Sequence, residues 1–308
     1  MVTRDDVLAA AERIHGRVHR TPTFTSATLG PGVRLKAELF QKTGSFKVRG
    51  VLNKLASLSA EEKARGVIGI SAGNHAQALA WGAAAEGVSA LLVMWSSASS
   101  AKIDATRGYG AEVDLEASDP AAAFDRLAAL GAETGRTLVH PFDDPLVQAG
   151  QGTVALELLD DAPHVDTIVV PVGGGGLVSG IAAAAPDRRI VCVEPEASNA
   201  VAAGLAAGAS VPVVPVSVAD GLSAPFAGEN ALAVLRAHPA LESVLVTEEE
   251  IEAGFRFLYA RAKLACEPAA AVGVGAFLAG KIDAEHVAFV VSGGNVSGQT
   301  ASAILARA

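Results

Sequence analysis

The sequence predicts an α/β protein built on mainly parallel open sheets, and three observations lead there. Short apolar runs alternate with helical patterns along most of the chain, the habit of strands joined by crossover helices. Half of the residues are hydrophobic and only 19% are charged, with 32 glycines and abundant Ala and Val, which suits sheets covered by small-residue helices. Three glycine-rich stretches each follow an extended run and precede a helical one, the position at which open α/β sheets bind ligands. The length of 308 residues holds one large domain or two closely joined ones.

Taken in order, MVTRDDVLAAAERI reads as an acidic amphipathic helix and not as a signal sequence. Strands are expected at Val67–Ile70, 90–94, 138–140, 167–172, 190–193 and Val287–Val291, each a short apolar run. Helices are expected at 76–85, 146–159 and 251–264. The last opens with a capping box, in which Thr247 caps and Glu250 answers three residues later. Residues 209–218, rich in Val and Pro, read as an irregular connection, because Pro212 and Pro215 cannot donate to a central ladder. No repeat or low-complexity linker interrupts the chain.

Several function classes drop out. A net charge of −9 without any Lys/Arg block argues against nucleic-acid binding, which needs clustered positive charge. No apolar run reaches the roughly 18 residues of a membrane span, so a cytoplasmic protein acting on a small molecule is expected. Cys192 and Cys266 have neither zinc-ligand nor CxxC spacing and read as buried, reduced thiols. His15, His19, His164, His238 and His286 form no metal spacing, and no metal is expected.

The glycine-rich stretches are SAGNH at 71–75, PVGGGGL at 171–177 and SGGN at 292–295, and together they suggest one shared cleft. Gly173, Gly174, Gly175 and Gly176 remove every β-carbon from a turn that opens a helix, so several N–H groups can converge on a phosphate. A flexible loop or a tight packing turn explains the run equally well. The run matches neither the Walker nor the dinucleotide pattern, which leaves a smaller phosphorylated cofactor. In QKTGSFKVRG, Lys47 is a candidate for forming a Schiff base, chemistry that needs a partly desolvated amine. The alternative is that Lys42, Lys47 and Arg49 form one solvated basic face.

KTGSFKVRG, SAGNHAQALA, PVGGGGLVSG, the pair CVEP and VADG, KLACEP and VSGGN occur in the order and approximate spacing found in one family. From about Thr21 to about Gly298 the chain resembles the threonine dehydratase and serine racemase family of fold-type II pyridoxal-phosphate (PLP) enzymes, which are tryptophan synthase β-like. The resemblance implies that Lys47 carries the cofactor and then removes the substrate Cα proton. It implies that Phe46 lies beside the pyridine ring and that Gly173, Gly174, Gly175 and Gly176 hold the phosphate. It further assigns Asn74 to the ring hydroxyl oxygen, Ser292 to the pyridine nitrogen and Gly221 to a close backbone approach. A serine hydroxyl cannot hold a pyridinium proton as a carboxylate would, which suits β-elimination better than chemistry needing a long-lived carbanion. Ser71, Asn74 and His75, opening a helix, would bind the substrate carboxylate.

Other implications follow from the same resemblance. Two α/β domains are expected, a large one of residues 1–58 and 140–308 and a small one of 59–139 that closes over the substrate. The reaction implied is loss of water from L-threonine or L-serine, giving a 2-oxo acid and ammonia. A serine racemase, a 3-hydroxyaspartate dehydratase and a PLP-binding regulatory protein share the motifs. Racemisation needs a second acid/base opposite the lysine, and the position that carries it in racemases is Ala72 here. Glu194 occupies a family cation-site position, but six residues along stands Ala200, so no divalent site is expected. Glu267 matches a glutamate near the cofactor edge and equally fits a helix-start acid. The chain is expected to lack a C-terminal regulatory domain and to form a homodimer.

Overall fold

The computed structural model describes residues 1–307, without the side chains of Pro120 and Ala121. The chain opens with α1 (Arg4–Ile14), started by a capping box in which Thr3 accepts the Asp6 N–H and Asp6 answers the Thr3 N–H. β1 (Thr23–Ser26) and β2 (Gly30–Ala37) pair antiparallel. Two 3-10 turns, Glu38–Phe40 and Lys42–Gly44, then lead into α2 (Lys47–Ala56). After α3 (Ala60–Arg65) come β3 (Val67–Ile70), α4 (Asn74–Ala85), β4 (Ala90–Trp95), α5 (Ser100–Gly108), β5 (Glu112–Ala117), α6 (Pro120–Thr134) and β6 (Thr137–Leu138). The chain continues through α7 (Pro145–Asp161), β7 (Thr167–Pro171), α8 (Gly176–Ala184), β8 (Arg189–Pro195), α9 (Ala200–Ala207), α10 (Glu229–Ala237) and β9 (Leu241–Val246). It ends with α11 (Glu248–Phe257), α12 (Pro268–Leu278), β10 (Val287–Val291) and α13 (Gly298–Leu305).

Two sheets result. One has six strands in the order β1-β2-β10-β7-β8-β9, parallel in every pair except β1–β2, and the other is a wholly parallel sheet in the order β5-β4-β3-β6. The α/β class with mainly parallel sheets is therefore the one expected. The larger sheet is covered on both faces, which is why its central strands read as unbroken apolar runs. In β7, Ile168 and Val170 join one core with α1, α7 and α8, whereas Val169 joins another with α11 and α12. Each such buried aliphatic side chain contributes roughly 1.5–3 kcal/mol. The smaller sheet repeats the arrangement: Val67 and Leu92 pack with α2 and α4, and Ile68, Leu91 and Val93 pack with α6.

Some boundaries depart from the sequence reading. β1, β2, β5 and β9 were not among the expected strands, because charges or polar residues break their apolar pattern. β5 exposes Glu112 and Glu116, and β9 carries Glu242, paired with Arg189. The strand expected at 138–140 ends at Leu138, because His140 turns the chain: its Nδ1 accepts the N–H groups of Phe142 and Asp143, at 3.3 and 2.8 Å. The helix expected at 251–264 starts earlier, at Glu248, and gives way after Phe257 to a π turn at Leu258–Ala262. Its capping box of Thr247 and Glu250 is present.

Behind α2 lies a buried ionic cluster. Arg49 donates to both oxygens of Glu38 at 2.8 Å and to the two oxygens of Glu157 at 2.7 and 2.8 Å, and Lys36 donates to Glu157 at 2.7 Å. Lys36, Glu38 and Arg49 are fully buried, which is tolerated because two cations meet two carboxylates with their donors satisfied. The cluster fastens β2, the turn that follows it and α7 to the first turn of α2. That turn begins with Lys47.

Candidate active site

The carboxyl ends of three parallel strands open into one cavity of about 730 Å³. β3 hands over to Ser71, Asn74 and His75, β7 to Gly173, Gly174, Gly175 and Gly176, and β10 to Ser292, while α2 presents Lys47. Phe46 and Gly221, the latter in the 3-10 turn Asp220–Leu222, complete the set, so every residue assigned a role in the sequence lines this cavity. The irregular segment before that turn lines it as well, through Val213, Val214 and Pro215. The sequence had offered no reason to place it there.

The three cations of KTGSFKVRG do not share a solvated face. Arg49 lies in the buried cluster, and Lys42 donates to the Arg17 carbonyl at 2.8 Å beside the Trp81 ring. Lys47 alone faces the cavity, half-buried, its Nζ donating to the Pro141 carbonyl at 2.8 Å. Burial pushes its pKa down to about 8, against the opposing pull of the Glu267 charge, so the neutral nucleophilic amine is accessible near neutral pH. The preceding chain is strapped to the end of β10, where the Phe46 N–H donates to the Ser292 carbonyl at 3.1 Å and Ser45 bridges Gly293.

The glycine run is required twice over. A β-carbon on Gly174 would lie 2.4 Å from the Phe142 ring, and one on Gly176 would lie 2.8 Å from the Phe142 Cα. At Gly175 the backbone is left-handed, with φ 92°, and a β-carbon would meet Ala231 at 2.7 Å. The packing explanation is therefore correct, and it leaves the expected anion cradle compatible with the geometry. No side chain caps α8, and the N–H groups of Gly173, Gly174 and Gly175 meet no acceptor among the described residues.

A second uncapped helix start faces the same cavity. Ser71 Oγ accepts the Gly73 N–H at 3.0 Å, and Gly73 leads α4 without any side-chain cap, leaving the first N–H groups of the helix for a ligand. Asn74 does not cap this helix. Its Nδ2 donates to Glu267 Oε1 and its Oδ1 accepts from Asn295 Nδ2, both at 2.8 Å. The His75 ring is buried and bonds the Val139 carbonyl through Nε2 at 2.8 Å, so Nε2 carries the hydrogen and Nδ1 is left unpartnered. Burial, then the nearby Lys47 charge, lowers the His75 pKa to about 3, so the imidazole is neutral and brings no charge to a carboxylate.

Glu267 precedes α12 but does not cap it. Its buried carboxyl instead reaches toward the cavity, and burial followed by the Asp220 charge raises its pKa to about 7. A β-carbon on Gly221 would meet Ala269 at 3.0 Å and Glu267 at 3.5 Å, so this turn needs its glycine for close approach. Glu194 serves the fold: its two oxygens accept the Val201 and Ala202 N–H groups at 2.8 Å, capping α9 from the end of β8. Among the described residues no group of three or more His, Cys, Asp or Glu is gathered as for a metal. Both cysteines are buried and unpaired, and burial raises their pKa values.

Pro141, Phe142 and Asn295 were not singled out in the sequence. Their contributions, a carbonyl for Lys47, a wall for the glycine loop and a donor for Asn74, arise from tertiary contacts that no local pattern encodes. Lys102 of α5 and Asp220, which pair across the cavity mouth, were missed for the same reason.

An amine that loses its proton readily, set in one cavity with an uncharged cradle of N–H groups, defines a protein that holds a phosphorylated carbonyl compound at both ends. The family model described as pyridoxal-phosphate dependent enzyme matches residues 14–293, and the chain belongs to that family. The L-threonine ammonia-lyase of Thermotoga maritima is 41% identical over 307 residues, covering 96% of this chain and 76% of that protein. Among solved structures, maize serine racemase superposes with a TM-score of 0.91 at 33% identity, covering 99% of this chain and 97% of that one. A threonine deaminase from T.th. does so with a TM-score of 0.88 at 38% identity, covering 96% of this chain and 99% of that one. Pyridoxal phosphate fits the residues present, since Lys47 supplies the amine and the glycine cradle, closed to any β-carbon, supplies free donors. Among the described residues no helix is long and apolar enough to cross a membrane.

Proposed function

We propose that this chain is a PLP-dependent dehydratase that removes water from L-threonine and L-serine, giving 2-oxobutanoate or pyruvate and ammonia. The observation that carries this reading is that the amine of Lys47, which unlike that of Lys102 has no carboxylate partner among the described residues, shares a cavity with two uncapped helix starts. One suits the cofactor phosphate and the other the carboxylate of an amino acid.

In this reading Gly173, Gly174, Gly175 and Gly176 would hold the phosphate through N–H groups, and Lys47 would supply the amine that holds the cofactor covalently. Phe46 would flank the pyridine ring, Asn74 would hold the ring oxygen, Ser292 would serve the ring nitrogen and Gly221 would allow close backbone approach. When bound, the cofactor supplies the electron sink that makes the substrate Cα proton removable. The start of α4, at Ser71, Asn74 and His75, binds the substrate carboxylate through N–H groups and orients the Cα–H bond. Lys47 Nζ, whose pKa of about 8 makes the neutral amine accessible, would take that proton, and the β-hydroxyl would leave with one proton as water, so that the proton lost from Cα is balanced by the one the leaving group gains. Tautomerisation and hydrolysis of the enamine product complete the overall reaction.

Ala72 lines the cavity with a methyl group that neither donates nor accepts a proton, which favours elimination over the racemase activity named for the maize relative. We further propose that residues 59–139 close over the substrate against a large unit of 1–58 and 140–308. The support is that the four-stranded sheet lies wholly within 67–138 and that the cavity is lined from both sheets. A cytoplasmic homodimer belongs to the same reading, and sedimentation of the holoenzyme tests the dimer. The activity is tested by steady-state kinetics with L-threonine, L-serine, both 3-hydroxyaspartates and D-serine, alongside Lys47→Ala. Turnover of L-threonine that disappears with Lys47→Ala supports the proposal. Turnover that survives the substitution, or a preference for hydroxyaspartate, overturns it.

A further inference from the structure

Asn295 closes a chain of hydrogen bonds that joins the lysine, asparagine, glutamate and C-terminal glycine motifs. Its Nδ2 donates to the Thr43 carbonyl and to Asn74 Oδ1, both at 2.8 Å, which uses both of its hydrogens. Asn74 Nδ2 then donates one hydrogen to Glu267 Oε1 at 2.8 Å, and its second hydrogen remains available in the cavity that Asn74 lines. The chain begins on the Thr43 carbonyl, which can only accept, and ends on an accepting carboxyl oxygen of Glu267. Turning the Asn74 amide over would set nitrogen against the Asn295 nitrogen and oxygen against the Glu267 oxygen. The nitrogen–nitrogen contact would be repulsive at any pH and the oxygen–oxygen contact whenever Glu267 is ionised, so the Thr43 carbonyl, acting through Asn295, fixes the orientation of Asn74.

The local backbone is built around this contact. Thr43 adopts a left-handed conformation, φ 61° and ψ 13°, uncommon for a β-branched residue, and it aims its carbonyl at Asn295. Gly44 follows with φ 73°, and a β-carbon there would stand 2.5 Å from Asn295 Oδ1. The Gly294 N–H donates to the Gly44 carbonyl at 2.9 Å, tying the two turns together. Two successive residues thus adopt left-handed backbone beside one amide, in the segment that leads directly to Lys47.

We propose that Asn295 is a positioning residue that locks the Asn74 amide so that it presents an N–H, and never an oxygen, to the ring oxygen of the cofactor. This rests on the reading that Asn74 faces that oxygen. A donor there stabilises the ionised oxygen, whereas an acceptor favours its protonated form. The lock therefore sets the ionisation of the bound cofactor without touching it.

The test is a pH titration of the visible absorption band of the holoenzyme, which reports ionisation of the bound cofactor, in wild type, Asn74→Asp, Asn295→Asp and Asn295→Ala. Asn295→Asp keeps the shape but can donate to neither Thr43 nor Asn74, and Asn295→Ala removes the donor without adding charge. The expected result is that Asn74→Asp and Asn295→Asp both raise the titration midpoint, by about one pH unit or more, a tenfold loss in preference for the ionised form. Asn295→Ala moves it in the same direction by less, and it carries the test alone if the aspartate variant does not fold. If Asn74→Asp shifts the midpoint while both Asn295 variants titrate like wild type, the lock is refuted and the reading of Asn74 stands. If none of the variants shifts it, the reading of Asn74 fails and the lock fails with it.

Discussion

Gly174→Ala separates the packing role of the glycine run from backbone strain. Gly174 does not lie in the left-handed region, so alanine is allowed there conformationally, but its methyl carbon would stand 2.4, 2.5 and 2.6 Å from three atoms of the Phe142 ring. Ordinary contact begins near 3.4 Å, so the ring or the loop must yield by about 1 Å. Phe142 is poorly placed to yield. Its ring is held edge-on to His140 and Phe226, with centroids 4.6 and 5.5 Å away, and its carbonyl accepts from Gln148 Nε2 at 3.0 Å. Overpacking of this kind costs about 1–3 kcal/mol, and the stability of the apoprotein in urea should fall by that amount. Under the proposed assignment of this loop to the phosphate, cofactor affinity, read by titrating the apoprotein, should fall about tenfold for each 1.4 kcal/mol lost from the contact. Phe142→Leu in the same chain should relieve the clash, so the double variant should be more stable than the sum of the two single effects by about 0.5–3 kcal/mol. Gly174→Ala within about 0.5 kcal/mol of wild type, with unchanged cofactor affinity, would refute the reasoning, and so would strict additivity.

Lys47 in the apoprotein should react with acetic anhydride along a pH profile centred near pH 8, because burial favours the neutral amine; peptide mapping reads the profile, and a midpoint near the ordinary lysine value of about 10.4 would contradict the assignment. Ala72→Ser should gain D-serine formation from L-serine, while wild type should release pyruvate with little D-serine. Chiral chromatography follows both, and D-serine appearing in wild type at a rate comparable to pyruvate would defeat the claim. Glu194→Gln should lose one of the two caps on α9 and cost about 0.5–2 kcal/mol in urea unfolding, with no change in response to chelators. A chelator effect abolished by this substitution would show that Glu194 holds a cation after all.

The lining of the candidate site was largely legible because its residues sit in short runs that can be read locally. Four glycines before a helix, or a lysine opening α2, can be read without knowing the fold. What could not be read depended on partners distant in sequence. Asn295 and Phe142 acquire their meaning from Asn74 and Gly174, and neither pairing leaves a local trace. Glu267 was open between two readings until its side chain proved to bond Asn74 instead of capping α12. In the fold, the central strands β3, β4, β7, β8 and β10 were legible because both faces are apolar. β2 was hidden because Lys36, which looks solvent-facing, is buried against Glu157. α12 is apolar on all sides, so no periodic face marks it.

The buried cluster around Arg49 has an electrical consequence for the lysine two residues away. A guanidinium so near in sequence would be expected to repel an ammonium and so acidify it, as paired cations do in other amine catalysts. Here Glu38 and Glu157 each clasp Arg49 through both oxygens, so that with Lys36 the cluster carries no net charge, and what governs Lys47 is burial opposed by Glu267. Proximity along the chain is thus decoupled from proximity in charge, since Lys47 turns to the cavity while Arg49 turns into a cluster that is neutral overall. Removing Glu157 would leave that cluster with a net positive charge on the helix that carries Lys47, so the acidity of Lys47 is open to tuning from α7 without altering any residue that lines the cavity.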